Sequence, residues 1–427
     1  MGLIKVSHLK PNMLVSTDVK DRNGRLLVAA GTRLTEKHIR IIKIWGVVEA
    51  DIENASEKDD VPSEVEMVDP DICWAASEQV AKNFRFNDRE NPVIAELFRI
   101  SQERKAVEIA RARDLGPQPQ PAGSPSPRAS RRNRAAQEIN PQERWDRPFD
   151  HIRKLIRQDV RLTTLPAIFR RINEMIMKPS SSSRDIADLI SKDTSLAARL
   201  LKLVNSSFYA YPARIESLSR AVSIVGTNQV RMLAFGIDVV AQFRNIPSEY
   251  INMDSFWRHS IACGVIARLI AATRNIQHTE RLFLAGMLHD IGRLVVYHYT
   301  PQYAVDILKQ ARESEELLYC VEAEYLGADH TEIGGLLLQS WKLPQSLENS
   351  VRLHHTPCET QNGLEPAIVH VADVTAKALG IGSSGDLYVP PLVDEAWRQV
   401  GLSINSLDAI AEQTDRQLEE TFQLFFK

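Results

Sequence analysis

From Phe149 onward, apolar residues recur at three- and four-residue intervals almost without a break. That is the period of helices that bury one face. Ser182-Ser-Arg-Asp is a capping box ahead of Ile186, Leu189 and Ile190, and Asp193 caps a helix whose Leu196, Ala197, Leu200, Leu201 and Val204 share a face. Gly226 closes the next helix. Short loops between such helices predict a compact all-α bundle. The stretch from Leu282 to Val296 differs, being apolar on nearly every side, as in a helix buried all round.

The pattern before Phe149 is different. Leu14 to Val19 alternates loosely, Asp21-Arg-Asn-Gly signals a turn, and Arg25 to Ala30 returns as a second strand. Thr35 then caps a helix with Ile39, Ile42 and Trp45 on one face, Gly46 ends it, and Val47 to Ile52 forms a third strand. Residues 1–55 are thus expected to form a small α+β module, and 56–113 a helical connector with Asn91-Pro92 opening its second helix. Prolines crowd Gly116 to Pro127, and arginines follow from Arg128 to Arg134, so 114–148 reads as a disordered linker. Residues 149–427 are expected to form the helical domain and its tail, and the stretch from about Asp386 to Lys427 reads as helical, packed on the core and without chemistry of its own.

Composition changes this picture little. A formal net charge of −3 over 427 residues gives no general attraction for nucleic acid, and the arginine run lacks the aromatic residues that a nucleic-acid surface would add. No apolar run reaches membrane length, and Met-Gly-Leu-Ile-Lys lacks the regions of a secretion signal, so a cytoplasmic protein is expected. Cys73, Cys263, Cys320 and Cys358 are scattered, without C-x-x-C spacing, and read as buried thiols rather than disulfides or zinc ligands.

Chemistry enters at His289-Asp290. A carboxylate in so apolar a stretch costs several kcal/mol, on the order expected for a desolvated charge, unless a cation or several donors meet it. Neutral imidazole beside carboxylate is metal-ligand chemistry. Further candidates are His259, His330, His354, His355 and Asp373. Each alone is more often a satisfied core side chain, and Asp290 has an ion-pair partner in Arg293 one turn on. His370 shares a helix face with Asp373 and reads as core or support.

The order His, His-Asp, His, His-His, Asp resembles the ligand series of the HD phosphohydrolase superfamily, closest to its HD-GYP branch. A second resemblance rests on Leu165-Pro-Ala-Ile-Phe, Ile186 to Tyr209, Ile215 to Gly226 and Glu324 to Pro344. These segments look like the HDOD domain, an HD-related output domain of bacterial signal-transduction proteins, over roughly residues 155 to 375. The likeness implies an all-helical HD-type bundle with two divalent ions, iron or manganese favoured. In it Asp290 bridges, His259, His289 and Asp373 hold one ion, and His330, His354 and His355 the other. It implies a catalytic role for Asp290, and Arg293 stands where HD-GYP enzymes carry a lysine, able to hold a phosphate. After His355 comes Thr356-Pro-Cys-Glu, without the Gly-Tyr-Pro associated with cyclic di-GMP cleavage.

Two functions follow. The favoured one is a signalling output protein that contacts other signalling proteins through the HDOD core or the N-terminal module, with the metal kept for structure or sensing. The alternative is a metal-dependent phosphohydrolase acting on a nucleotide or cyclic dinucleotide.

Overall fold

The computed structural model describes residues 2–6, 9–20, 26–44, 47, 49–53, 69–114, 148–158, 167–176, 182–206, 209, 214–243, 246, 251–277, 279–359 and 363–426. The turn expected at Asp21 to Gly24, the helix end at Trp45 and Gly46, Leu165-Pro166 and the linker interior at 115–147 lie outside them.

The N-terminal module holds β1 (Gly2–Lys5), β2 (Val19–Lys20), β3 (Leu26–Val28), α1 (Glu36–Ile44) and β4 (Glu49–Ile52). Strand β1 pairs antiparallel with β4, Gly2 opposite Ile52, and β2 pairs with β3. The sequence reading missed β1, which is too short to show a period. A small core of Val15, Val28, Leu34, Ile42 and Ile52 closes the unit, and Thr35 caps α1 as expected, its Oγ1 accepting from His38 N at 3.2 Å.

Helices α2 (Pro70–Asn83) and α3 (Pro92–Asp114) form an antiparallel hairpin. Asn91 Oδ1 accepts from Val93 N at 2.9 Å, so the expected cap is present. This pair is more than a connector. Ser101 Oγ donates to Ala378 O at 2.6 Å, Val389 N to Asn83 O at 2.8 Å, and Arg99 meets Asp408 at 2.8 Å, tying the hairpin to the C-terminal part of the chain.

The bundle follows as α4 (Pro148–Gln158), α5 (Ala167–Ile176), α6 (Ser183–Ser191), α7 (Thr194–Val204), α8 (Leu218–Val225) and α9 (Thr227–Gln242). It continues with α10 (Met253–Thr273), α11 (Thr279–Leu288), α12 (Ile291–Tyr299), α13 (Pro301–Glu313), α14 (Leu318–Leu326), α15 (His330–Ser340), α16 (Gln345–Arg352), α17 (Leu364–Ala378), α18 (Asp394–Val400) and α19 (Ser406–Phe426). The capping box of Ser182 and Asp185 is formed, Asp193 accepts from Leu196 N, and Gly226 ends α8 at φ 99°.

Helix α10 is central, buried on most of its surface and packed against α11, α17 and α19. Two close approaches set the depth of that packing. A Cβ on Gly286 would lie 2.7 Å from Cys263 O and 2.8 Å from Gly264 Cα, so α10 and α11 touch backbone to backbone. A Cβ on Gly292 would lie 2.0 Å from His330 O, which presses α12 onto the start of α15. Among the described residues no helix is long and apolar enough to cross a membrane. No disulfide joins the four cysteines, and Cys263 is buried and Cys73 half-buried, but Cys320 and Cys358 are exposed, against the expectation of buried thiols.

Candidate metal centre

The continuous helix expected through His289-Asp290 is broken there: α11 ends at Leu288, α12 starts at Ile291, and Asp290 has φ −95° and ψ 11°. Neighbours on a helix diverge by about 100°. The break removes that constraint, and His289 Nε2 and Asp290 Oδ2 come to 3.0 Å. His259 projects from α10, His330 opens α15 behind its cap Asp329, His354 and His355 occupy the turn after α16, and Asp373 lies on α17.

All seven side chains meet. His259 Nε2 is 3.1 Å from Asp373 Oδ1 and 3.7 Å from Asp290 Oδ2, and His289 Nε2 is 3.3 Å from Asp373 Oδ1. Asp290 faces two ways, with Oδ2 toward His289 and Oδ1 3.0 Å from His330 Nε2. His330 and His354 bring their Nε2 atoms to 3.4 Å. Candidate donor atoms of His259, His289 and Asp290, of His289, His354 and Asp373, and of His330, His354 and His355 form three groups, each within 4.8 Å. Six of these residues are at most 1% exposed. His355 is half-buried, its ring stacked on Tyr319 at 4.2 Å.

The remote ring nitrogens explain why the near ones are available. His289 Nδ1 lies 2.7 Å from Gly286 O, His354 Nδ1 2.8 Å from Val351 O and His330 Nδ1 2.5 Å from Glu322 Oε2. A carbonyl or carboxylate oxygen accepts, so each Nδ1 carries a proton and each Nε2 is turned inward. Those inward nitrogens face carboxylate oxygens and one another. Accordingly His259 Nε2, His289 Nε2, Asp290 Oδ1, Asp373 Oδ1 and His355 Nε2 are buried with no hydrogen-bond partner among the described residues.

Around this inner set lies a layer that the sequence reading largely missed. Arg293 is fully buried, donating to Glu322 at 2.8 Å, to Asp290 at 3.3 Å, to Ser384 at 2.7 Å and to Asp386. Lys377 Nζ lies 3.2 Å from Asp373 and 3.0 Å from Asp386. Asp386 and Ser384 belong to the loop after α17, and Asp386 opens the stretch that was expected to be helical and without chemistry. Arg293, expected to hold a phosphate, has its guanidinium engaged by three carboxylates and a hydroxyl, Asp290 among them.

Charge follows the same geometry. Asp290, Asp373, Asp386 and Glu322 are opposed by Arg293 and Lys377, leaving an excess of negative charge when the imidazoles are neutral. Burial pushes Asp290 up, but Arg293, His289 and His330 outweigh it and hold the carboxyl well below its usual range. Burial likewise opposes ionisation of Asp386, and Arg293 and Lys377 bring it down to about 2. Burial and the neighbouring imidazoles keep His354 and His355 far below the ordinary histidine range, the neutral state that a ligand requires. His370 takes no part in the inner set, its Nδ1 donating to His354 O at 2.7 Å and its Nε2 accepting from Val393 N at 3.0 Å.

Residues 149–357 match the model of the HDOD domain family. Over 209 residues, 49% of this chain, the sequence is 27% identical to an uncharacterized protein of Treponema pallidum (strain Nichols), and the match spans 40% of that protein's length. The fold is similar to an HDOD domain protein of unknown function from Geobacter sulfurreducens, with a TM-score of 0.53 and 23% identity over 64% of this chain and 97% of that one. It is similar also to a candidate phosphohydrolase from Shewanella amazonensis SB2B, with a TM-score of 0.51 and 22% identity over the same shares. At such identities the likeness concerns the fold alone. The helical bundle and the match over residues 149–357 together identify this part of the chain as an HDOD domain.

Proposed function

We propose that this chain is a signal-transduction output protein whose HDOD core holds divalent metal in a dinuclear centre. The observation that carries this reading is the cluster of buried, partnerless donor atoms on His259, His289, Asp290, His355 and Asp373. Leaving one such atom unsatisfied costs about 1–3 kcal/mol, so a core selected for packing alone would not gather five at one point. Asp290 would bridge, since its two oxygens address different imidazoles. His259, His289 and Asp373 would hold one ion, and His330, His354 and His355 the other. This mixture of imidazole and carboxylate suits iron or manganese better than magnesium. Metal analysis after anaerobic purification tests the reading: bound divalent metal that is lost in His289→Ala supports it, and metal-free wild-type protein after loading refutes it.

One observation favours a second reading. Asp290 between two imidazole groups is an arrangement for two ions, which when bound supply Lewis acidity toward a phosphoryl oxygen and lower the pKa of a nearby water. A phosphodiester would have to approach past His355 and Tyr319, because the other candidate ligands are enclosed. That enclosure favours the output role, exercised on other signalling proteins, over hydrolysis of a nucleotide or cyclic dinucleotide. Turnover of cyclic di-GMP or a generic phosphodiester by loaded protein, abolished in Asp290→Ala, would reverse the preference. No turnover by folded, loaded protein leaves the output role.

A further inference from the structure

We propose that Asn87 and His370 are positioning residues that tie the α2–α3 hairpin to the ligand pair His354-His355. The inference rests on reading that pair as ligands. It begins in the turn between α2 and α3, where Asn87 clamps the segment leading into α18. Its Nδ2 donates to Val389 O at 2.9 Å, its Oδ1 accepts from Leu392 N at 3.1 Å, and Val389 N donates to Asn83 O at 2.8 Å. Phe86 packs edge-on against Tyr388 with ring centroids 5.3 Å apart, an apolar contact beside the polar clamp.

The next residue carries the connection inward. Val393 N donates to His370 Nε2 at 3.0 Å, and His370 Nδ1 donates to His354 O at 2.7 Å. His370 is 2% exposed, with both ring nitrogens used, so its tautomer and orientation are set by its two partners. His354 and His355 lie in a turn rather than in a helix. Their placement therefore depends on bonds such as this one more than on a helical ladder, whereas His259 and Asp373 are held by α10 and α17. The hairpin, His370 and the 387–394 segment all lie outside residues 149–357. Movement of the hairpin would thus reach the His330, His354 and His355 half of the centre along this path.

Hydrogen–deuterium exchange of the full chain tests this without depending on bound metal. Loss of one part-buried bond is worth up to about tenfold in a local opening equilibrium. Asn87→Ala and His370→Phe are expected to speed exchange by about that factor in peptides covering Leu353 to Glu359 as well as Val389 to Val393, with Met253 to Thr273 unchanged. His370→Gln keeps a donor and an acceptor and is expected to restore slow exchange. In loaded protein the first two variants should weaken one of two metal equivalents by about tenfold. Faster exchange confined to Val389 to Val393, or uniform acceleration in every peptide, would overturn the proposal. Wild-type protein that takes up no metal would refute the dinuclear reading, while the exchange pattern would still decide this one.

Discussion

His330 and His354 point their Nε2 atoms at each other across 3.4 Å, although each has given its Nδ1 proton to another acceptor. Two lone pairs held so closely repel unless a proton or a cation lies between them. In the metal-free chain protons are drawn in: burial and Arg293 pull His330 down, but Glu322 and Asp290 overcome them and bring it up to about 9. A divalent ion, if bound as proposed, would meet the same electrostatic demand and that of the carboxylates as well.

Arg293 offers the sharpest separation between orienting and substrate-binding roles. Its removal leaves Asp290, Glu322 and Asp386 buried without their shared cation. Arg293→Met should therefore destabilise the fold by about 3–5 kcal/mol, the usual result of stripping one partner from a buried ion pair. Urea unfolding measures this. A variant as stable as wild type but defective only in phosphate binding would restore the role first expected for this residue.

Gly292 limits how closely α12 meets α15. Since an added Cβ would lie 2.0 Å from His330 O, Gly292→Ala must separate the two helices. The expected loss is about 1–3 kcal/mol, the range for overpacking, with weaker metal binding because His330 moves away from Asp290. Gly380→Ala is a useful comparison: its Cβ would meet nothing within 4 Å, although φ of 67° carries its own strain. Equal metal affinity in Gly292→Ala and wild type would contradict the packing argument.

Away from the centre, Asp238 on α9 controls part of the pH dependence. Burial, with Asp193 adding to it and Arg199 opposing, raises its carboxyl to about 6 from an ordinary 3.8. A folded-state value above the unfolded one means that stability from this group is complete below the unfolded pKa and is lost as pH rises through about 6. Asp238→Asn should consequently raise Tm at pH 7.5, with a gain that shrinks toward pH 4. Melting curves recorded across that range check it, and a gain independent of pH would show that ionisation is not the cause.

The sequence revealed the parts of this molecule that repeat or punctuate. Helices α6 to α8 were legible because Ser182, Asp193 and Gly226 mark their ends while Ile186, Leu189, Leu196 and Leu200 keep the helical period. The seven converging side chains were legible as a series, because imidazoles and acids in apolar surroundings stand out. The supporting layer was not. Asp386 and Ser384 lie in a loop without periodicity, and Glu322 and Lys377 look like ordinary polar positions on helices until the fold turns them inward. Nor could local pattern show that α2 and α3 pack on residues hundreds of positions away, since Asn87 and Val389 are joined only by tertiary structure. The break at His289-Asp290 escaped detection because neither residue is a strong helix breaker.

The measurement that bears most directly on the central claim is equilibrium dialysis of anaerobically purified wild-type protein against manganese or ferrous iron, with metal counted per chain. Two bound equivalents per chain are expected, falling in Asp290→Ala even where circular dichroism shows the helices intact. A folded wild-type chain that retains no metal above the dialysis background would contradict the account.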